Sequence, residues 1–314
     1  MDSVPVAFVS DEPVSLEAAV SEASRLLKRA RLPVIAGLET DVAGVRAAVR
    51  LAERVGGVID HAGSDASLRE LSIIRTGGSM TISPAEARRI CDLFLLIGSD
   101  VSELNPGVPH VRLAGSSLAG DLAVLRAMAA GRPLQNRPTK LKTNLASLQK
   151  ARFGAAVWRS GSLAEPLVEM AMGLVRDLNT TARFSTVILP GRAAGADQVL
   201  AWLTGFPART SLARGFAEHD PWAFDANRLV ESGEADVAVW ISPQKAPWRR
   251  KVDMIAIAAA EHRLDDAAIQ LIAGADHGGA IFAEETGGFV YREAASPSDR
   301  PSVAALLDRL GGAP

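Results

Sequence analysis

Residues able to do chemistry are few in this chain of 314 residues, with five histidines, His61, His110, His219, His262 and His277, and one cysteine, Cys91. A hydrolytic nucleophile needs a base within hydrogen-bond reach and a turn that exposes it. No GxSxG elbow occurs, and no histidine stands at a recognisable spacing from a serine or cysteine. A self-contained metal site needs ligands paired at short spacing, and HxH, HExxH and CxxC are all absent. One thiol is too few for an iron–sulfur cluster or an intrachain disulfide, and Cys91, set before an apolar run, reads as a small buried side chain. A dinucleotide site wants GxGxxG at a strand-to-helix turn. Gly191-Arg192-Ala193-Ala194-Gly195 is a loose analogue whose glycines read as packing geometry.

Charge offers a clearer signal than nucleophiles do. From Leu122 to Ala164 there is no Asp or Glu, while Arg126, Arg132, Arg137, Lys140, Lys142, Lys150, Arg152 and Arg159 all fall inside. A shorter basic cluster, Arg249, Arg250 and Lys251, lies beside Trp248 in PQKAPWRRK. Against a formal net charge of −2, such local clusters, and no global field, would guide an anionic partner.

These residues must be positioned by elements legible from periodicity. Leu16 to Arg31 has apolar residues at helical spacing behind Ser15 as N-cap, and Pro33 opens the apolar run Val34 to Ala36. Gly37 ends that strand. Val42 to Arg54 repeats as a helix, Gly56-Gly57 stops it, and Val58-Ile59 starts another strand. Ala85 to Ile90 reads as a short helix, and Leu93 to Ile97, Val187 to Leu189 and Val237 to Ile241 read as strands buried on both faces. Two weak repeats tie the halves together. Leu27 to Arg31 (LKRAR) matches Leu148 to Arg152 (LQKAR), each followed by a strand and a glycine, Gly37 or Gly161. Ala235-Asp236 precedes its strand as Cys91-Asp92 precedes its own.

The expected fold class is therefore α/β, with two Rossmann-like units and largely parallel sheets. Right-handed crossovers put ligand or partner surfaces at the carboxyl ends of strands, near Gly37, His61, Gly98, Gly191 and Ser242. His61 and His277 each follow a strand there. The proline-rich stretch GRPLQNRPTKLKT, 131 to 143, suggests a boundary, giving a first unit over 1–135 and a second over 136–314, with a closing segment, 255–314, able to pack back on the first. Composition that is 48% hydrophobic supplies apolar surface for two cores. No run reaches the roughly 18 apolar residues of a membrane span, and no basic, then apolar, leader opens the chain. The expectation is a cytoplasmic protein with no nucleic-acid or membrane partner.

The stretch GADQVLAWLTGFP (195–207), continued by Arg214-Gly215-Phe216 and Asp220-Pro221, resembles the B subunit of formylmethanofuran dehydrogenase. LAERVGGVID (51–60) and ETGGFVYR (285–292) are similar to that family's early strand and closing region, so the resemblance spans most of the chain. The family carries a molybdenum or tungsten pterin and an iron–sulfur cluster on a molybdopterin-oxidoreductase fold. Here the N-terminal cysteine cluster has no counterpart. HAGSDAS (61–67) lacks the metal-ligating cysteine or selenocysteine, and the chain stops soon after Tyr291-Arg292, leaving no expected room for a C-terminal pterin-binding domain.

Such a version resembles the B subunit of the formyltransferase/hydrolase complex of methylotrophic bacteria. The resemblance implies a non-catalytic subunit beside an amidohydrolase-like A subunit, a C subunit and a formyltransferase D subunit. That complex moves formyl groups from tetrahydromethanopterin to a methanofuran-like, polyglutamylated carrier and releases formate. No cofactor is then expected on this chain, and Lys140, Lys142, Lys150 and Arg152 are the residues expected to meet the carrier's anionic tail. Two other readings stay open: a molybdenum- or tungsten-pterin formylmethanofuran dehydrogenase catalytic subunit, and a Rossmann-like enzyme with a small anionic ligand.

Overall fold

Apolar runs closed by glycine become buried parallel strands, and the alternation of side chains across each strand feeds two cores at once. In a computed structural model that describes residues 7–102, 104–248, 251–258, 267–274, 277–294 and 298–312, Val237–Ile241 shows this directly. Val237, Val239 and Ile241 enter one apolar cluster, while Ala238 and Trp240 enter the cluster on the opposite face. Leu93–Ile97 does the same, with Leu93, Leu95 and Ile97 on one side and Phe94 and Leu96 on the other. Each such Val, Leu or Ile contributes about 1.5–3 kcal/mol relative to an exposed one, and these two strands feed all four apolar clusters.

Side-chain caps set the helix limits, Ser15 among them as read from sequence. Ser15 accepts from Ala18 N at the start of Leu16–Arg29, Asp41 from Gly44 N at the start of Val42–Val55, and Ser83 from Glu86 N at the start of Pro84–Ile90. Val42–Val55 ends on Gly56 in the left-handed region, with φ +63°.

The chain divides into two compact units: one of residues 1–64, 192–282 and 289–314, the other of residues 65–191 and 283–288. In the first, the described strands form a nine-stranded sheet. Its parallel centre runs Val58–Ile59, Pro33–Ala36, Val237–Ile241, Asp253–Ala258, Ile269–Ile272, with antiparallel pairs outside it. The second holds a four-stranded, all-parallel sheet in the order Phe184–Leu189, Gly154–Arg159, Leu93–Ile97, His110–Leu113.

These two orders correspond strand for strand over four positions, but the chain enters them at different points. In the first unit the strand matching Gly154–Arg159 comes first; in the second, the strand matching Val237–Ile241 does. The repeats mark the correspondence. The Asp236 carboxylate accepts from the backbone N–H of Arg31 and Leu32, at 2.9 and 3.1 Å, just before Pro33–Ala36. Asp92 accepts likewise from Arg152 and Phe153, at 3.0 and 3.2 Å, just before Gly154–Arg159. The aspartate ahead of one strand thus fixes the turn ahead of its neighbour, once in each unit.

The partition differs from a cut after residue 135. Val237–Ile241 pairs in parallel with Pro33–Ala36, which ties the late chain to the early chain. The proline-rich stretch leads from helix Leu118–Ala129 into helix Thr139–Lys150, whose first residues it supplies, both in the second unit. Helix Val303–Leu310 buries Leu306, Leu307 and Leu310 in the first unit's core, next to residues of Val42–Val55.

Candidate functional site

In an open parallel sheet the ligand crevice lies at the carboxyl ends of the strands where the strand order reverses. In the first unit that point falls between Pro33–Ala36 and Val237–Ile241. The two strand ends approach so closely there that a Cβ on Gly37, at φ +88°, would lie 2.6 Å from the Ile241 carbonyl oxygen. Leu38 follows at φ +53°, and this sharp turn aims Glu39 across the crevice.

Glu39 is fully engaged. Arg192 donates to it through Nε at 3.0 Å and Nη2 at 2.8 Å, a bidentate pair, and Ser242 Oγ donates to the same carboxylate. Burial alone would push the Glu39 carboxyl up, but the hydrogen bonds from Arg192 and Ser242 outweigh it and hold the group below the ordinary glutamate range. Arg192 comes from the loose Gly191–Gly195 loop, which therefore supplies a plug for the crevice.

Beside it, Val58–Ile59 ends in two buried polar residues. The His61 ring lies 2.9 Å from Asp197 through Nε2, while Nδ1 accepts from Gly63 N at 3.0 Å, so the ring proton sits on Nε2 and faces the carboxylate. Asp60 accepts from His61 N and Ala226 N, at 2.8 and 3.0 Å, and Arg209 Nε stands 3.7 Å away. Burial pushes the Asp60 carboxyl up. Arg209, held at φ +60°, also pairs with Asp225, the N-cap of Ala226–Glu231, and donates to the Pro221 carbonyl. This buried network spends its charges on itself.

The second unit reverses its order between Leu93–Ile97 and Gly154–Arg159. Gly98, at φ +102°, and the Ser160-Gly161-Ser162 turn meet there, and the buried Glu70 accepts from Ser160 Oγ at 2.8 Å. Burial pushes the Glu70 carboxyl up. Of the expected loop residues, Gly37, His61 and Ser242 share one sheet end, whereas Gly98 and Gly191 belong to the second unit.

Lys140, Lys142, Lys150 and Arg152 are all exposed. They lie on or just after helix Thr139–Lys150, whose Leu141, Leu145 and Leu148 face the core, and their side chains form no ion pair among the described residues. Arg126 instead pairs with Asp177 at 3.0 Å. Cys91 is buried, its thiol pushed up to about 12 by burial, then by Asp92 and Glu86. His110 and His277 are exposed, and His219 sets Nδ1 3.0 Å from the Arg209 carbonyl. Arg249, Arg250 and His262 lie outside the described residues. No three or more His, Cys, Asp or Glu among the described residues come together as a metal site, and no described helix is long and apolar enough to cross a membrane.

Sequence spacing did not disclose Glu39, Asp197, Arg209 or Asp225, because their partners are remote in the chain. Nor did it disclose which large apolar side chains of the first unit stand exposed: Trp202, Leu203, Phe206, Phe216, Trp222 and Tyr291, with Trp202 63%, Trp222 72% and Tyr291 77% exposed. These residues coincide largely with the stretches 195–207, 214–216 and 285–292.

No family model matches the chain. It is 31% identical to the B subunit of the formyltransferase/hydrolase complex Fhc of Methylorubrum extorquens, over 97% of this chain and 96% of that protein. It is 26% identical to the B subunit of tungsten-containing formylmethanofuran dehydrogenase 2 of Methanocaldococcus jannaschii, over 74% of this chain and 67% of that one. The fold superposes with TM-score 0.85 and 29% identity, covering 98% of both chains, on a chain from the crystal structure of the formyltransferase/hydrolase complex FhcABCD of Methylorubrum extorquens in complex with methylofuran.

Proposed function

The chain belongs to the family of formyltransferase/hydrolase complex B subunits, and from that premise we propose that it is a non-catalytic, structural subunit of such a complex. The complex would act in the cytoplasm, passing formyl groups from tetrahydromethanopterin to a methanofuran-like carrier and releasing formate. Its partners would be an amidohydrolase-like A subunit, a C subunit and a formyltransferase D subunit.

One observation carries this reading. At the first unit's reversal point the groups that a catalyst would need are bound to one another: Glu39 to Arg192 and Ser242, His61 to Asp197, and Arg209 to Asp60 and Asp225. An acid, base or oxyanion donor works by having a face turned to substrate, and here those groups are turned chiefly to one another.

The donor set also does not fit a molybdenum or tungsten pterin. The protein ligand that the family resemblance implies for such a centre is a cysteine or selenocysteine, yet Val58–Ile59 ends in Asp60 and His61, and the one thiol of the chain is buried in the second unit with its proton held.

Two surfaces take over the work. The exposed rings of Trp202 and Trp222 suit contact with a partner subunit, since tryptophans dominate interface energetics. They are the two of the five tryptophans that face outward. The cations Lys140, Lys142, Lys150 and Arg152 suit the carrier's glutamate tail. The full-length chain, purified alone, is expected to show no formyl transfer, formate release or formate oxidation, and elemental analysis no stoichiometric molybdenum or tungsten. Turnover by the chain alone, or one tungsten per chain, would overturn the proposal.

A further inference from the structure

Helix Glu165–Leu178 carries a glycine, Gly173, in its interior, where glycine is among the least favourable residues. Its use is visible in what lies above it. A Cβ at this position would fall 2.4 Å from Arg126 Cζ and 2.7 Å from its Nε and Nη2. The guanidinium of Arg126, reaching over from Leu118–Ala129, is therefore laid flat against bare helix backbone. Asp177 fixes it from the side, accepting from Nε at 3.0 Å. Among the described residues nothing accepts from Nη1 or Nη2, so the end-on face of the fork, the one suited to bidentate carboxylate binding, is unused.

Arg126 borders two cavities of about 320 and 270 Å³. The larger has apolar walls from Ala123, Ala127, Ala130 and Met170, and a second guanidinium, Arg132, at its edge. Its one carboxylate, Asp177, is already bonded to Arg126. The second cavity contains Glu169 beside Arg176 and is the less hospitable to an anion.

We infer that the Arg126–Arg132 cavity seats a single carboxylate of an acidic chain whose remaining length lies along the basic helix Thr139–Lys150. This rests on the reading that the second unit's cations take the carrier's glutamate tail, and adds to it a fixed anchor. Exposed lysines attract without choosing a geometry. A guanidinium cradled on Gly173 and held by Asp177 does choose one, and a lysine in its place could not reproduce the fork.

Titration of the full-length chain with a short oligoglutamate peptide tests the anchor, with oligoglutamine as the uncharged control. Arg126→Gln is expected to weaken oligoglutamate binding about tenfold, Arg126→Lys to recover only part of that, and Gly173→Ala to act like Arg126→Gln by lifting the guanidinium off its seat. Thermal unfolding identifies variants that keep the fold. The isolated carrier should displace the peptide; a peptide that it cannot displace would overturn the assignment to the carrier. If Arg126→Gln folds and binds oligoglutamate as the native chain does, the anchor is refuted. Should the quadruple variant Lys140→Gln, Lys142→Gln, Lys150→Gln, Arg152→Gln then lose binding, the basic-helix reading survives alone. A native chain that binds no oligoglutamate refutes both, leaving the non-catalytic assignment to the activity assay.

Discussion

The two units share one strand order and treat the point where it reverses in opposite ways. In the first, Glu39 meets an arginine and a hydroxyl, and its carboxyl is held below the ordinary range. In the second, Glu70 meets a hydroxyl from Ser160 and is reached by Arg69 only through its charge, and burial pushes its carboxyl up. The same sheet geometry thus yields a charged, neutralised plug in one place and a carboxyl biased toward its protonated form in the other. What differs is the cation delivered by a remote loop. Strand order alone does not decide whether a crevice works, since the loops arriving at it can close it.

The largest effect should come from breaking the first unit's network. Arg209→Met leaves Asp60 and Asp225 without their cation in a buried setting and is expected to cost about 3–5 kcal/mol, read by urea unfolding. A loss below about 1 kcal/mol would mean that the network is solvated and that the crevice is not closed.

Partner contact comes next. Trp202→Ser together with Trp222→Ser should weaken complex assembly by roughly 2 kcal/mol or more, with unfolding of the isolated chain little changed because both rings are exposed. Unaltered assembly would show that these rings meet no partner.

The carboxylates give a comparison of sign. Glu39 has its folded value below the ordinary 4.5, so its stabilisation is present above that value and is lost as pH falls through the folded one. Glu70 has its folded value above 4.5, so its contribution is full below 4.5 and is lost as pH rises through the folded one. Glu39→Gln should therefore flatten the acid-side loss of stability, and Glu70→Gln should remove a loss that sets in as pH rises out of the acid range. Denaturation across pH checks both, and slopes of the same sign would erase the contrast between the units.

Helices and strands were legible because caps, glycines and apolar runs act locally: Ser15, Gly56 and Gly37 each mark an end that the fold keeps. Neighbour relations were not. An apolar run such as Val237–Ile241 states that it is buried on both faces and says nothing of which strand lies beside it, so the late chain's return to Pro33–Ala36 had no local signal. The likeness of LKRAR to LQKAR was visible, but its meaning depends on Asp236 and Asp92, which act from another strand. The network was hidden for the same reason, with Glu39, Arg192 and Ser242 far apart in the chain. Lys140, Lys142, Lys150 and Arg152 could be read because a missing carboxylate is a local fact.

The smallest stability effect belongs to that surface. The quadruple glutamine variant should shift unfolding by less than about 0.5 kcal/mol, since unpaired exposed charges add little to folding. Its cost should appear instead as weaker carrier use, most of all at low ionic strength.

Isolation of the tagged full-length chain from its native cell, with mass identification of whatever accompanies it in fixed proportion, tests the central claim most directly. The account predicts three companions, an amidohydrolase-like, a formyltransferase and a C subunit, with formyl transfer and formate release in the assembly and none in the chain alone. A chain that elutes by itself, or that turns over formyl substrate without companions, would contradict it.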